Sequence, residues 1–295
     1  MKYYEKFRVK PGITVSLDKI DAGFKDKHED HASALGEIEK YTQRLRELQY
    51  LLYAEGRRSL LIILQAMDAG GKDGTINHVL GNMNPQGARV YGFKTPSAEE
   101  ASHDFLWRIH QAAPRRGQVA IFNRSHYEDV LVSRVHNFVP KKVWLKRYDL
   151  INDFEKNLVD NGTQILKFFL HISEDEQLRR FKQRIDDPAR HWKISELDYK
   201  EREYWDDYAR AFEYALSKCS KLNAPWFVIP ANHKWFRNLA VSQIVVEHLE
   251  SLKMEFPQPT VDIKDVMAKY HKAEEEEATK NGKKTQDKNS KTGKR

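Results

Sequence analysis

The sequence predicts an α/β fold: a parallel sheet of five strands wrapped by helices, with a helical insertion between the last two strands. Three observations predict it. Short apolar runs alternate with amphipathic helical stretches along the 295 residues. The first run, Leu60 to Leu64, feeds directly into the glycine-rich turn Gln65-Ala66-Met67-Asp68-Ala69-Gly70-Gly71-Lys72-Asp73-Gly74. The third run ends in Asn123-Arg124, so polar groups collect where strands end, as ligand sites of open parallel sheets require.

Taken in order, the first ~30 residues show no clear period, and residues 1–33 read as an N-terminal extension. From Ala34 to Tyr53, Leu35, Ile38, Tyr41, Leu45, Leu48 and Leu52 recur at helical spacing. After the turn a helix runs from Thr75 to Leu80 and stops at Asn82-Met83-Asn84-Pro85. Arg89 to Phe93 reads as the second strand. Ser97 and Glu100 form a capping box for a helix through His110. Val119 to Phe122, wholly apolar, is a central third strand. A helix from about Pro140 to Leu158 ends at Asn161-Gly162. Ile165 to Ile172 and Trp226 to Ile229 complete the sheet.

Residues 173–221 form the insertion. Ser173 and Glu176 cap its first helix, Asp186-Asp187-Pro188 breaks it, and Ser195 starts a second, on which Trp205, Tyr208 and Phe212 make a stripe that packs on the body. The main domain spans 34–256. Residues 257–295 read as a charged tail, with one short helix to about Lys272 and disorder beyond.

The turn after the first strand carries the chemistry. Backbone N–H groups and a helix N-terminus point at an anion there, and Lys72 neutralises it. The pattern departs from the usual phosphate loop: Ala66 stands for the first glycine, and Asp73 for the Ser or Thr that binds magnesium. Asp68 adds a negative charge inside the cradle. That is reasonable where a divalent metal bridges carboxylate and phosphate, or where Asp68 orients an attacking group. The backbone of Ala69, Gly70, Gly71 and Gly74 completes the cradle. The competing reading of Asp73 is that it acts simply at the helix start.

At the end of the third strand, Asn123 offers a metal or its waters only a neutral oxygen, where phosphate-loop enzymes often place an aspartate. Arg124 offers a fork matching phosphate oxygens, and its competing use is an ion pair with Glu128 or Asp129. In the insertion, Arg179, Arg180, Lys182, Arg184, Arg190 and Lys193 surround the break. A hinged basic pair of helices suits a lid closing over phosphoryl oxygens. Asn232-His233-Lys234, after the fifth strand, either contacts a base or turns the chain.

Composition narrows the class. No stretch approaches the ~20 apolar residues of a membrane helix, and Met1-Lys2-Tyr3-Tyr4-Glu5 has no signal-peptide core behind it. Cys219 is the only cysteine, so an internal disulfide is excluded and a cytoplasmic setting is expected. The net charge is +7, but 8 basic and 5 acidic residues from Lys272 onward supply +3 of it. Charge alone therefore does not argue for nucleic acid.

Asp68-Ala69-Gly70-Gly71-Lys72-Asp73-Gly74, His103-Asp104-Phe105-Leu106-Trp107-Arg108 and Phe122-Asn123-Arg124-Ser125-His126-Tyr127-Glu128-Asp129 together resemble the polyphosphate kinase 2 family. The likeness runs from about Ala34 to Leu252. It implies a thymidylate-kinase-like P-loop core with a helical lid and magnesium-dependent phosphoryl transfer between inorganic polyphosphate and a nucleotide, with manganese as an alternative ion. The family's phosphate-loop aspartate and lysine fall on Asp68 and Lys72, its second-motif pair on Asn123 and Arg124, and its lid arginine on Arg184. On this reading Asp68, Lys72, Arg124 and Arg184 are catalytic. Residues 69–74 with Arg180, Arg184 and Lys193 hold polyphosphate; Asn123, Arg124, Glu128 and Arg134 hold AMP, ADP or ATP; and Asp68 and Asn123 hold the metal. Asn123 with Glu128 resembles the subgroup that phosphorylates both AMP and ADP. A homo-oligomer is implied, with neither nucleic acid nor membrane as partner. The rival readings are an ATP-dependent nucleotide kinase on the same core and a non-catalytic polyanion-binding protein.

Overall fold

The computed structural model describes residues 3–292, with side chains described through residue 281. In chain order the elements are α1 (Tyr3–Phe7), α2 (His31–Glu55), β1 (Ser59–Gln65), α3 (Lys72–His78), β2 (Ala88–Gly92), α4 (Ala98–Ser102), α5 (Trp107–Gln111), β3 (Val119–Asn123), α6 (Glu128–Val135), α7 (Lys141–Asp160), β4 (Thr163–His171), α8 (Glu174–Asp186), α9 (Glu196–Arg202), α10 (Trp205–Cys219), β5 (Trp226–Pro230), α11 (Lys234–Ser251) and α12 (Ile263–Thr292). The chain divides into two units, Met1–Glu255 and Phe256–Arg295.

The five strands form one sheet in the order β2-β3-β1-β4-β5, and every pairing is parallel. Every residue of β1 is buried, because helices cover both faces of a central parallel strand. Strand order reverses at β1, so the loops leaving β1 and β3 part company and open a crevice at their carboxyl ends. Register fixes its width: Leu64 pairs with Asn123, which sets the third strand's polar end beside the start of the glycine-rich loop.

The residues read as an N-terminal extension are integral to the first unit. Tyr3, Val9, Val15 and Leu17 are buried in the common core, and the Val9 N–H donates to the Trp226 carbonyl over 2.8 Å. Nothing local marks this segment, because its apolar residues match a tertiary surface and follow no period.

Other expectations are corrected. The helix beginning at Ser97 has its capping box, but it breaks after Ser102, where the Asp104 side chain accepts from the Leu106 N–H at 2.9 Å and starts a new turn. The insertion holds three α-helices and a 3-10 helix at Pro188–Lys193, with the Trp205-Tyr208-Phe212 stripe on the last α-helix, packed on the core as expected. Its ends are fastened to the body: Glu176, Gln177, Arg180 and Phe181 are buried on α8, and Ala211, Phe212, Ala215 and Leu216 on α10. Only about residues 182–200 stand clear, so the part able to act as a lid is shorter than 173–221. In the second unit the helix runs on to Thr292 instead of ending near Lys272. Ala, Glu and Lys dominate residues 268–280, and their helix propensity suffices without a buried face. No helix among the described residues is long and apolar enough to cross a membrane.

Candidate active site

The loop joining β1 to α3 is shaped by three backbone choices. Ala69 has φ +58° and Gly71 +105°, and the Gly70 N–H closes a turn on the Met67 carbonyl at 2.9 Å. A Cβ on Gly70 would lie 2.4 Å from that of Ala66, so both small residues are needed for the tight turn. The loop ends at the N-terminus of α3, whose first residue is Lys72. The Lys72 ammonium donates to the Ala66 carbonyl at 3.2 Å, spanning the mouth of the cradle. Burial lowers its pKa, as does Arg124, while Asp68, Glu128 and Asp73 oppose the shift.

Opposite stands the end of β3. Arg124 also has positive φ, +64°, a conformation costly for a side-chain-bearing residue and held here by its N–H bond to the Leu64 carbonyl at 3.1 Å. Its guanidinium reaches Asp68 Oδ1 at 3.2 Å and Glu128 Oε2 at 3.7 Å, so its functional and ion-pair roles coexist. Burial would lower its pKa, but Glu128 and Asp68 more than reverse this and fix the charge. Asn123 Nδ2 donates to Asp73 Oδ1 at 2.8 Å, joining the two motifs a second time. Burial raises the pKa of Glu128 against the pull of Arg124 and Lys72.

Behind β3 lies a polar network wholly inside the core. Lys167 on β4 pairs with Glu155 on α7 and donates to the Tyr127 hydroxyl at 3.0 Å and the Cys219 carbonyl at 2.7 Å. Glu155 also accepts from Tyr127 at 2.9 Å and faces His126 Nε2 at 3.3 Å. Burial raises the Glu155 pKa, but Lys167 and His126 overcome it, so the carboxylate stays ionised. His126 and Tyr127 directly follow the Arg124-Ser125 turn, so this network anchors the segment that aims Arg124.

The cleft enclosing both loops has a volume of about 1080 Å³. Its acids are Asp68 and Asp73. Against them stand Lys72, Lys94, Arg124, Arg180, Arg184, Arg190, Lys193, Lys234 and Arg237. Residues 68–74, Asn123, Arg124, Arg180, Arg184 and Lys193, all named from sequence, come together here. Glu128 lies behind Arg124. Arg134 does not join them: its guanidinium packs over the Trp144 and Tyr214 rings, 4.8 and 5.4 Å from their centroids, on the other side of α6.

Arg180 reaches the cleft in an unexpected role. It is buried and pairs with Glu176 at 2.7 Å, while its guanidinium donates to the carbonyls of Ala69 (2.8 Å), Ala231 and Asn232. It fastens the phosphate loop to α8 from behind. Arg184 sits farther out, tied to Asp198 at 3.0 Å and to the Lys193 carbonyl at 3.1 Å. Asn232 turns the chain, binding the Ser173 N–H at 3.0 Å, whereas Lys234 lines the cleft. Lys94 and Arg237 were missed from sequence: one follows an edge strand and the other lies inside an amphipathic helix, and neither belongs to a local motif.

For a metal, the donors available are the carboxylates of Asp68 and Asp73 and the amide oxygen of Asn123. No cluster of three or more His, Cys, Asp or Glu that could hold an ion occurs among the described residues. Sparse donors suit magnesium, which takes one or two carboxylates and completes its shell with waters and substrate phosphates.

Known proteins resemble this chain along most of its length. Residues 27–257 match the family model for Polyphosphate kinase 2 (PPK2). The chain is 51% identical over 256 residues to an AMP/ADP-polyphosphate phosphotransferase of Meiothermus ruber, covering 86% of this chain and 96% of that one. It is 47% identical over 272 residues to an ADP-polyphosphate phosphotransferase of Rhodopseudomonas palustris, covering 87% and 93%. The crystal structure of polyphosphate kinase 2 from Arthrobacter aurescens TC1 superposes with a TM-score of 0.89 at 42% identity, covering 92% of this chain and 97% of that one.

Proposed function

The chain belongs to the polyphosphate kinase 2 family, and from that premise we propose that it transfers the terminal phosphoryl group of inorganic polyphosphate to AMP and to ADP, forming ADP and ATP. The observation that carries the reading is the cross-loop contact of Arg124 with Asp68, 3.2 Å, at the mouth of the cradle closed by Lys72. One cation and one acid from different strands meet where donor and acceptor phosphates must meet. The surplus of cations along the cleft suits a donor carrying many charges.

The acceptor's attacking atom is a phosphate oxygen already ionised near neutral pH, so the chain needs no strong general base. Its task is placement and charge stabilisation. Lys72 and the loop amides hold the transferring group, Arg124 draws the acceptor phosphate into line, and Arg184 closes from the lid to exclude water. Asp68 and Asn123, with Asp73 adjoining, would hold magnesium, which would supply positive charge to offset that of the phosphoryl oxygens. Asn123 and Glu128 set the acceptor side, in keeping with use of both AMP and ADP. The homo-oligomer implied by the resemblance is measured by light scattering.

The test is ATP formation from AMP, magnesium and polyphosphate. Wild type makes ATP, and Asp68→Asn and Lys72→Ala each come close to abolishing it. Phosphorylation of ADP with ATP-γ-labelled donor but never with polyphosphate would instead mark an ATP-dependent kinase.

A further inference from the structure

Arg237, on the first turns of α11, is the anomaly of the cleft. Its side chain is 2% exposed, yet no carboxylate among the described residues pairs with it. Among the described residues its side chain hydrogen-bonds only to the Oδ1 of its neighbour Asn238, at 3.1 and 2.8 Å. A buried cation ordinarily has a counter-charge, because desolvating it alone is costly. Here the nearest charged group of consequence is another cation, Arg180, and burial together with that neighbour lowers the guanidinium's pKa.

Its position is as telling as its isolation. The guanidinium lies against the phosphate loop, such that a Cβ on Gly71 would fall 1.9 Å from Nη1 and one on Gly74 3.0 Å from Nη2. Gly71 is therefore small for a second reason besides its φ of +105°, and Gly74, with no such φ, for this reason alone: both admit this arginine to the side of the loop. Arg180 Nη1 lies 3.5 Å from the same Gly71 point, but Glu176 already neutralises it. Lys234, three residues before Arg237, opens on the same cleft.

We infer that the missing counter-charge of Arg237 is a phosphoryl group of the donor chain other than the one transferred, bound between Arg237 and Lys234. The inference rests on the proposed donor being a polyphosphate. Arg237 is thus a donor-binding residue, and it contributes to affinity for the donor without touching the acceptor.

The test uses Arg237→Met, which keeps volume and removes charge, and Arg237→Lys, which keeps charge without the fork. Melting temperature is measured with and without linear tripolyphosphate or long-chain polyphosphate, alongside the steady-state constants for donor and AMP. Arg237→Met should melt at or above the wild-type temperature without ligand and lose most of the polyphosphate-induced rise. Its KM for polyphosphate should increase at least tenfold, with the KM for AMP and kcat at saturating donor within about threefold of wild type. Arg237→Lys should fall between. A destabilised Arg237→Met whose polyphosphate response is unchanged, or one losing kcat and both KM values together, overturns the inference and makes Arg237 a strut of the loop. Should Arg237→Met not fold, an Arg237→Lys enzyme with wild-type KM for polyphosphate overturns it equally. If wild type makes no ATP from polyphosphate, the proposed function fails instead. Binding of tripolyphosphate to wild type and Arg237→Met then decides the anion site separately.

Discussion

The two flanks of the phosphate loop are built on opposite principles. On the flank toward β3, opposite signs are paired: Arg124 lies between Asp68 and Glu128, Asn123 donates to Asp73, and Lys72 stands beside them in a mixed-sign lattice. On the flank toward α8 and α11, Lys234 and Arg237 gather with no carboxylate partner among the described residues, whereas Arg180 is paired with Glu176 and the neighbouring Arg190 with Asp187. A mixed lattice holds its geometry when empty, which suits a place where atoms must line up. An uncompensated cationic wall is electrostatically incomplete until an anion arrives, which suits a place that only has to hold on. Positioning and affinity are thereby assigned to different faces of one loop.

Substitutions can break that division, beginning with the largest effect. Arg124→Ala or Lys72→Ala should lower kcat on the order of 10³-fold or more, with a much smaller change in polyphosphate KM, measured by steady-state ATP formation. An equal loss in both constants would put donor binding on the wrong flank. Next is the buried support of the mixed lattice. Lys167→Met strands the Glu155 carboxylate in the core and should cost about 3–5 kcal/mol of stability in denaturant unfolding, with Lys167→Met/Glu155→Met recovering much of it.

A smaller effect concerns Asp129, one residue beyond Glu128. Burial pushes its carboxyl up to about 6 from 3.8, despite Arg147 Nη1 at 3.3 Å. The folded protein therefore holds a proton there that the unfolded chain releases above 3.8. Its contribution to stability falls as pH rises from about 4 to 6 and is level beyond. Relative to Asp129→Asn, the wild type should lose on the order of 1–3 kcal/mol across that window, read from unfolding curves at each pH. An unchanged difference would mean that Arg147 dominates. The smallest effect belongs to the exposed cations of the other flank. Arg190→Gln or Lys193→Gln should raise polyphosphate KM roughly two- to fivefold and flatten its salt dependence, because exposed charges act through a screened field. A drop in kcat instead would show that the lid takes part in alignment.

Much of this was legible in the residues themselves. The loop of Asp68 to Gly74 and the Asn123-Arg124 pair announced themselves by position at the ends of apolar runs, and each lies where that position implied. Arg180, expected to hold polyphosphate, does line the cleft, but its bond to the Ala69 carbonyl was not foreseen, because a helical arginine carries no mark of what it will face. Arg134 shows the same limit: nothing beside it in the sequence reveals that its guanidinium would pack over Trp144 and Tyr214. Arg237 left no trace at all, and only the empty space over Gly71 and Gly74 hints at it.

What the chain determined alone was local: where strands begin and end, which turn must cradle an anion, and which two segments carry the reacting charges. Such features depend on neighbours within a few residues, through backbone sterics and the periodicity of burial. What tertiary structure decided was pairing across distance. The order β2-β3-β1-β4-β5 brought residue 124 to residue 68, folded residues 3–30 into the core, and drove the α11 arginine against a loop more than 160 positions earlier. Those outcomes follow from how helices and strands fill space together, and a bare order of residues does not specify which buried charge will be left waiting for a partner.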